Sequence, residues 1–200
     1  MRVFVTVGST RFDALVDSLT SSEALDRLSA YGHLVVQTGA SPCRHRDVQD
    51  NTKITFSNYA YKASLEPDID AADLIISHAG SGSILEALSA HKRLVVVVNQ
   101  SLMDNHQAQL ADKLAQMGCL VKCVLGDAER VDANCATGDE KVDANGAAGD
   151  ERVDANGAAG DSIELFKAIE QAIAPNFRPV ELPERNVDVF HAALRNHLFA

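Results

Sequence analysis

The chain has 200 residues, an apolar fraction of 46% and a net charge of −10. That length suits one domain with appendages, and that apolar share suits a globular core. The acidic balance excludes a basic nucleic-acid surface, and the longest strongly apolar run, residues 94–98, falls far short of the about 20 residues of a membrane span.

In chain order, the first 125 residues alternate strand-like and helix-like segments. Strands are expected at 3–7, 34–38, 54–56, 74–77, 94–98 and 120–124, and helices at 12–29, 63–71, 83–90 and 105–117. The strands are short, rich in Val, Leu and Ile, and do not alternate with polar residues. Such runs are expected when both faces of a sheet are covered. The order predicts an α/β fold with a parallel sheet and right-handed crossovers. Ligands of such sheets bind at the carboxyl ends of the strands. Gly8-Ser9-Thr10, residues 77–83 and residues 99–105 all follow strands and fall on that edge. The start of the chain runs straight into a strand pattern and lacks the apolar run and cleavage site of a secretory signal. A cytosolic protein is expected, with Cys43, Cys119, Cys123 and Cys135 as reduced thiols.

Three 11-residue units follow, opening at Glu129, Glu140 and Glu151. Residues 129–161 hold nine acidic and three basic side chains, net −6, which leaves −4 for the rest. With one Val per unit and recurrent Gly and Asn, the repeat reads as a low-complexity loop. Asp143-Ala-Asn145 begins like a calcium loop, but Ala147 and Ala148 stand where an oxygen ligand and a glycine belong. Residues 162–173 are expected to form a helix capped by Asp161 or Ser162. In the tail, Val187, Phe190, Leu194, Leu198 and Phe199 space out as one apolar helical face. That face packs on its own domain or docks on a partner chain. The division expected is a core at 1–125, the repeat loop at 126–161, and a helical segment at 162–200.

The segment from Asp73 to Glu86 carries the chemistry. A strand that turns through Gly80-Ser81-Gly82-Ser83 into a helix aims backbone N–H groups and the positive end of a helix dipole at one spot, which suits a phosphate. Glu86 lies about one turn into that helix, placed to accept hydrogen bonds from sugar hydroxyls. No Gly-Lys-Ser/Thr follows, so this is not a Walker loop. Leu85 occupies the third glycine position of a dinucleotide fingerprint, and Gln37 and Thr38 stand where an acidic residue would end the second strand. NAD is therefore disfavoured. Asp104-Asn105-His106-Gln107 follows the fifth strand. Asp104 or Asn105 suits a helix cap, and neutral imidazole and amide groups suit sugar hydroxyls, which both donate and accept. His78 reads equally well as a hydrogen-bonded structural residue or as a base. No Gly-x-Ser-x-Gly elbow accompanies it, and His78, His91 and His106 lack zinc-ligand spacing.

Three motifs in the same order, Phe4-Val-Thr-Val-Gly-Ser-Thr10, Ser77-His-Ala-Gly-Ser-Gly-Ser83 with Glu86, and Leu102-Met-Asp-Asn-His-Gln107, resemble one family. It is the cytosolic, sugar-nucleotide-binding subunit of the eukaryotic dolichol-linked N-acetylglucosaminyltransferase, of the family 28 glycosyltransferase type. The resemblance covers residues 3–124; the repeat is not part of the family pattern. It implies a Rossmann-like sheet forming the single donor-binding half of a GT-B glycosyltransferase, without cofactor or metal. It implies that Gly8, Ser9 and Thr10 lie near the diphosphate, that Tyr61 and Lys62 cup the uracil, and that Gly80, Ser81, Gly82 and Ser83 hold the diphosphate. Glu86 would hold the ribose, and His106 and Gln107 would face the donor sugar, with Asn105 among the substrate-binding residues. His78 and His106 are the candidates for a catalytic role, with a general base on the partner as the alternative. The partner implied is a membrane-anchored acceptor-binding subunit at the endoplasmic reticulum, which presents dolichol-linked GlcNAc to UDP-GlcNAc. A non-catalytic UDP-sugar-binding scaffold is the alternative function; an independent transferase would need the missing acceptor half.

Overall fold

The computed structural model describes residues 1–43, 54–99, 105–125 and 155–181, with the side chains of 105–107 and 155–161 outside that set. Six strands form one parallel sheet: β1 (Arg2–Thr6), β2 (His33–Gln37), β3 (Thr55–Tyr59), β4 (Leu74–His78), β5 (Arg93–Asn99) and β6 (Val121–Leu125). Their order across the sheet is β3-β2-β1-β4-β5-β6. This is the doubly wound, Rossmann-like order. Side chains alternate between two apolar layers. Val3, Val5, Val95 and Val97 join one layer, while Phe4, Leu94, Val96 and Val98 join the other. The first layer is covered by α1 (Asp13–Thr20), α2 (Ser22–Leu28) and α6 (Ala155–Ile173); the second by α3 (Glu66–Ala71), α4 (Ser81–Ser89) and α5 (Asn105–Gln116). Both faces being covered explains the unbroken apolar runs. Leu74, Ile75 and Ile76 are buried on β4, and each such side chain contributes about 1.5–3 kcal/mol relative to exposure.

The structure departs from the expected elements in five places. The helix expected over 12–29 is two helices, broken at Ser21, whose backbone is extended (φ −63°, ψ 153°). Ser21 caps α2 by accepting a hydrogen bond from the Ala24 N–H at 3.2 Å. The strand expected at 54–56 runs on to Tyr59. It is a sheet edge with exposed Ser57 and Asn58, and edge strands tolerate polar residues that an apolar-run criterion misses. The helix expected at 63–71 starts only at Glu66, with Pro67 in its first turn, where a missing N–H costs nothing. Helix α4 starts at Ser81, two residues before the expected 83. Helix α6 starts at Ala155, seven residues before the expected 162 and inside the third repeat unit. The repeat residues 126–154 and the tail 182–200 lie outside the described residues. Among the described residues, no helix is long and apolar enough to cross a membrane.

Candidate functional site

Strand order reverses beside β1: β2 lies on one side and β4 on the other. At such a switch point the loops leaving the two strands diverge and open a crevice at the carboxyl edge. The loop leaving β1 is Val7-Gly8-Ser9-Thr10 and the loop leaving β4 is Ala79-Gly80. Gly8 and Gly80, 72 positions apart in sequence, are thus brought together at one place.

His78 ends β4 and lies against both loops. A Cβ built on Gly8 would stand 2.7 Å from His78 Cε1, and one built on Gly80 would meet His78 Nε2, with Cε1 at 2.7 Å. Gly8 also has φ +62°, a left-handed conformation that glycine adopts without steric cost. These two glycines are therefore required by the imidazole between them. Burial holds the His78 pKa below its ordinary value, against a backbone hydrogen bond with Thr6 that pushes it up. Its Nδ1 is buried without a hydrogen-bond partner among the described residues.

That burial has a measurable consequence. The unfolded chain takes up a proton on His78 near pH 6.5, whereas the folded chain resists it. Folding stability is expected to fall as pH drops below about 6.5, because the unfolded state binds the extra proton, and this contribution levels off below the folded pKa. Urea midpoints at pH about 7.5 and about 5.5 should fall further for the wild type than for His78→Gln. Equal losses would exclude His78 as the cause.

Helix α4 presents its first turn to the same crevice. Its N-cap is Gly80, and no side chain caps it. The first N–H groups of a helix have no intrahelical partner. Here Ser81 and Gly82 are exposed and Ser83 half-buried, and a Cβ on Gly82 would meet nothing within 4 Å. The dipole adds about half a positive charge at that end. Glu86 is exposed on the next turn. In the facing loop, the Gly8 N–H is turned inward and donates to Gln37 Oε1 at 2.9 Å. Thr10 Oγ1 donates to the Val7 carbonyl at 2.7 Å. Ser9 is exposed.

On the other flank, Tyr61 follows β3 and is 59% exposed, an open aromatic face. Lys62, the next residue, is paired within the chain. Its Nζ lies 2.7 Å from Asp68 Oδ2 and 3.9 Å from the centre of the Tyr59 ring. Tyr59 donates its hydroxyl to the same carboxylate oxygen at 2.5 Å. Burial alone would raise the Asp68 pKa; the hydrogen bonds from Lys62 and Tyr59 outweigh it and hold the carboxyl below its ordinary range. Burial, then the bond to Asp68, pushes the Tyr59 hydroxyl well up. The ammonium of Lys62 is thus engaged in an internal cluster beside Tyr61. Asn105, His106 and Gln107 open α5, which follows β5 at the same edge; their side chains lie outside the described residues.

Three residues that shape this edge were missed or misread from sequence: Gln37, Tyr59 and Asp68. Gln37 served only to exclude NAD. A polar residue closing an apolar strand, here Leu34-Val-Val-Gln37, is the signal that could have singled it out. Among the described residues, no group of three or more metal-ligating side chains occurs.

The chain is similar to known proteins over this region. Residues 2–152 match the glycosyltransferase family 28 C-terminal domain. The UDP-N-acetylglucosamine transferase subunit ALG13 of Mus musculus is 45% identical over 124 residues, 61% of this chain but 10% of the mouse protein. The chain therefore spans about a tenth of that relative's length. The subunit of the same name from Yarrowia lipolytica is 38% identical over 136 residues, 66% of this chain and 68% of the yeast protein. A solution structure of ALG13 superposes with a TM-score of 0.59 at 23% identity, covering 100% of this chain and 97% of that one, which supports the fold alone. With its Rossmann-like parallel sheet, the chain belongs to the glycosyltransferase family 28 C-terminal domain family, among the ALG13-type subunits.

Proposed function

We propose that this chain is the donor-binding subunit of a two-subunit inverting glycosyltransferase. It transfers GlcNAc from UDP-GlcNAc to GlcNAc-diphosphodolichol, the second step of N-glycan precursor assembly. The observation that carries the reading is the uncapped start of α4 facing the Gly8–Thr10 loop across the switch point, in a chain of this family. In this reading the N–H groups of Ser81, Gly82 and Ser83 hold the diphosphate, and the helix dipole stabilises the charge that builds on UDP as it leaves. Ser9 and Thr10 close over the phosphates from the facing loop. Tyr61 offers an apolar face to the uracil, and Glu86 accepts from the ribose hydroxyls. Asn105, His106 and Gln107 face the sugar. The acceptor hydroxyl attacks the anomeric carbon as the bond to the diphosphate breaks, which inverts that centre. His78, neutral and wedged beneath both loops, positions them. The proton of the attacking hydroxyl goes to a base supplied by the membrane-anchored partner, which also brings the lipid-linked acceptor and recruits this chain to the cytosolic face of the endoplasmic reticulum.

The reading is tested by titration calorimetry. The chain should bind UDP-GlcNAc, and UDP almost as well, because the nucleotide contacts all lie on this half. Replacing Glu86 by Ala removes a charged acceptor. A hydrogen bond to a charged group is worth about 1.5–3 kcal/mol, so affinity should fall by roughly 10- to 150-fold. Equal UDP affinity in the two proteins would remove Glu86 from the site; no binding to the wild type would remove the site itself.

A further inference from the structure

We propose that Gln37 is a positioning residue that locks the Gly8–Thr10 loop to the segment after β3, and so sets the span between the phosphate side and the base side of the crevice. Gln37 is the last residue of β2 and is 2% exposed. Its amide makes four hydrogen bonds. The oxygen accepts from Thr6 Oγ1 at 2.6 Å and from the Gly8 N–H at 2.9 Å. The NH2 group donates to the Gly8 carbonyl at 2.7 Å and to the Ala60 carbonyl at 2.7 Å. A primary amide has two donors and one acceptor oxygen with two lone pairs, so its capacity is filled. One planar group therefore holds both polar atoms of the Gly8 backbone and, through Ala60, the residue before Tyr61.

The chain leaving β2 reinforces the same link. The Gly39 N–H donates to the Ala60 carbonyl at 3.2 Å, and the Ala40 N–H to the Thr10 carbonyl at 3.1 Å. Gln37, at the end of β2, thus lies between the loop leaving β1 and the segment leaving β3, the strands on either side of it. A planar amide with fixed donors and acceptors transmits the position of one loop to the other. An apolar residue of the same size would remove a partner from Thr6 Oγ1, from the Gly8 N–H and carbonyl and from the Ala60 carbonyl. The Gly8 N–H would keep only Thr6 Oγ1 at 3.2 Å and the Ala60 carbonyl only the Gly39 N–H, and lost hydrogen bonds at part-buried groups are costly. The effect on nucleotide affinity rests on the donor-site reading above; the link between the loops does not.

The test uses Gln37→Glu and Gln37→Met in the full chain, with UDP as the probe. In Gln37→Glu an oxygen replaces the NH2 group and faces the carbonyls of Gly8 and Ala60. A buried carboxyl in that place has its pKa pushed up, and protonation restores one donor. UDP affinity should fall about tenfold or more near pH 8, and Gln37→Glu should recover part of the loss near pH 6. Gln37→Met should be weak at both. The other titratable groups at this junction, His78 against Gly8 and the Tyr59–Asp68–Lys62 cluster beside Ala60, are common to all three proteins. Folded variants that bind within twofold of the wild type at both pH values would overturn the proposal. If neither variant folds, Thr6→Val, which removes one donor to Gln37 Oε1, should weaken UDP in the same direction; no change would overturn it. A wild type that binds no UDP would refute the donor-site reading alone. Amide exchange would then decide the link between loops: the Gly8 N–H should exchange faster in Gln37→Met, together with neighbouring amides of the segment after β3. Unchanged exchange at both loops would overturn it.

Discussion

On the proposed two-subunit reading, the purified chain is expected to bind UDP-GlcNAc and to transfer no sugar; transfer is expected only when the proposed membrane-anchored partner is added. The proposed donor contacts lie on one Rossmann-like sheet, at one edge. The described residues include no second sheet facing that edge and no helix able to cross a membrane. Transfer requires the acceptor hydroxyl to be held against the anomeric carbon in line with the leaving diphosphate. Such positioning accounts for about 7–11 kcal/mol of barrier, a factor of roughly 10⁵ to 10⁸ in rate. Stabilising the diphosphate from one side does not replace it. Phe190 and Leu194, whose spacing in the tail sequence suggests one apolar face and which lie outside the described residues, are the proposed docking surface. Charging these two residues should abolish the partner-dependent rate and leave UDP affinity unchanged. Robust GlcNAc transfer by the isolated chain would refute the two-subunit reading.

Much of the sheet was legible because a doubly covered strand must be apolar on both sides. Val3 to Val7 apart from Thr6, Leu74 to Ile76 and Leu94 to Val98 satisfy that condition without regard to their neighbours. The strand order was not legible, since all these runs look alike and their placement depends on which way each crossover turns. Edge strand β3 was undercalled for the opposite reason: Ser57 and Asn58 sit on a surface that need not be apolar. The early start of α6 runs against local preference. Gly157 and Gly160 disfavour a helix by about 1 kcal/mol each, yet the helix includes them, continuous with Leu165, Phe166 and Ile169 packed in the core. The strand-to-helix junction at Gly80 was readable because small residues mark such a turn, although the helix takes in Ser81 to Ser83; its phosphate-holding role is the proposal above. Gln37 and Asp68 were not readable, because a buried amide or carboxylate is identical in sequence to a surface one. Lys62 carries the same lesson: its charge is visible in the sequence, but the direction of its tip depends on Tyr59 and Asp68.

Substituting Ala at Gly8 and at Gly80 should destabilise the protein by different mechanisms, and removing His78 should tell them apart. Both new methyl groups would press on the same imidazole. The ring is half-buried against both loops, with its Nδ1 buried, so shifting it away from one methyl presses it on its other neighbours. Overpacking of this kind costs about 1–3 kcal/mol. Gly8 carries a second penalty, because its φ of +62° is unfavourable for any residue with a Cβ by roughly 1–2 kcal/mol. Gly8→Ala should therefore cost about 2–5 kcal/mol and Gly80→Ala about 1–3 kcal/mol. In a His78→Ala background the imidazole is gone. The Gly80→Ala penalty should then nearly vanish, while Gly8→Ala should keep its backbone strain. Neighbours that share a clash couple by about 0.5–3 kcal/mol in such double-mutant cycles. Urea unfolding of the three single and two double variants measures the terms directly. An undiminished Gly80→Ala penalty without His78 would show that the glycine answers to the backbone and not to the ring. The expected asymmetry assigns His78 the role of a spacer. It sets the distance between the phosphate-facing turn of α4 and the loop opposite, and the two glycines are the space that it occupies.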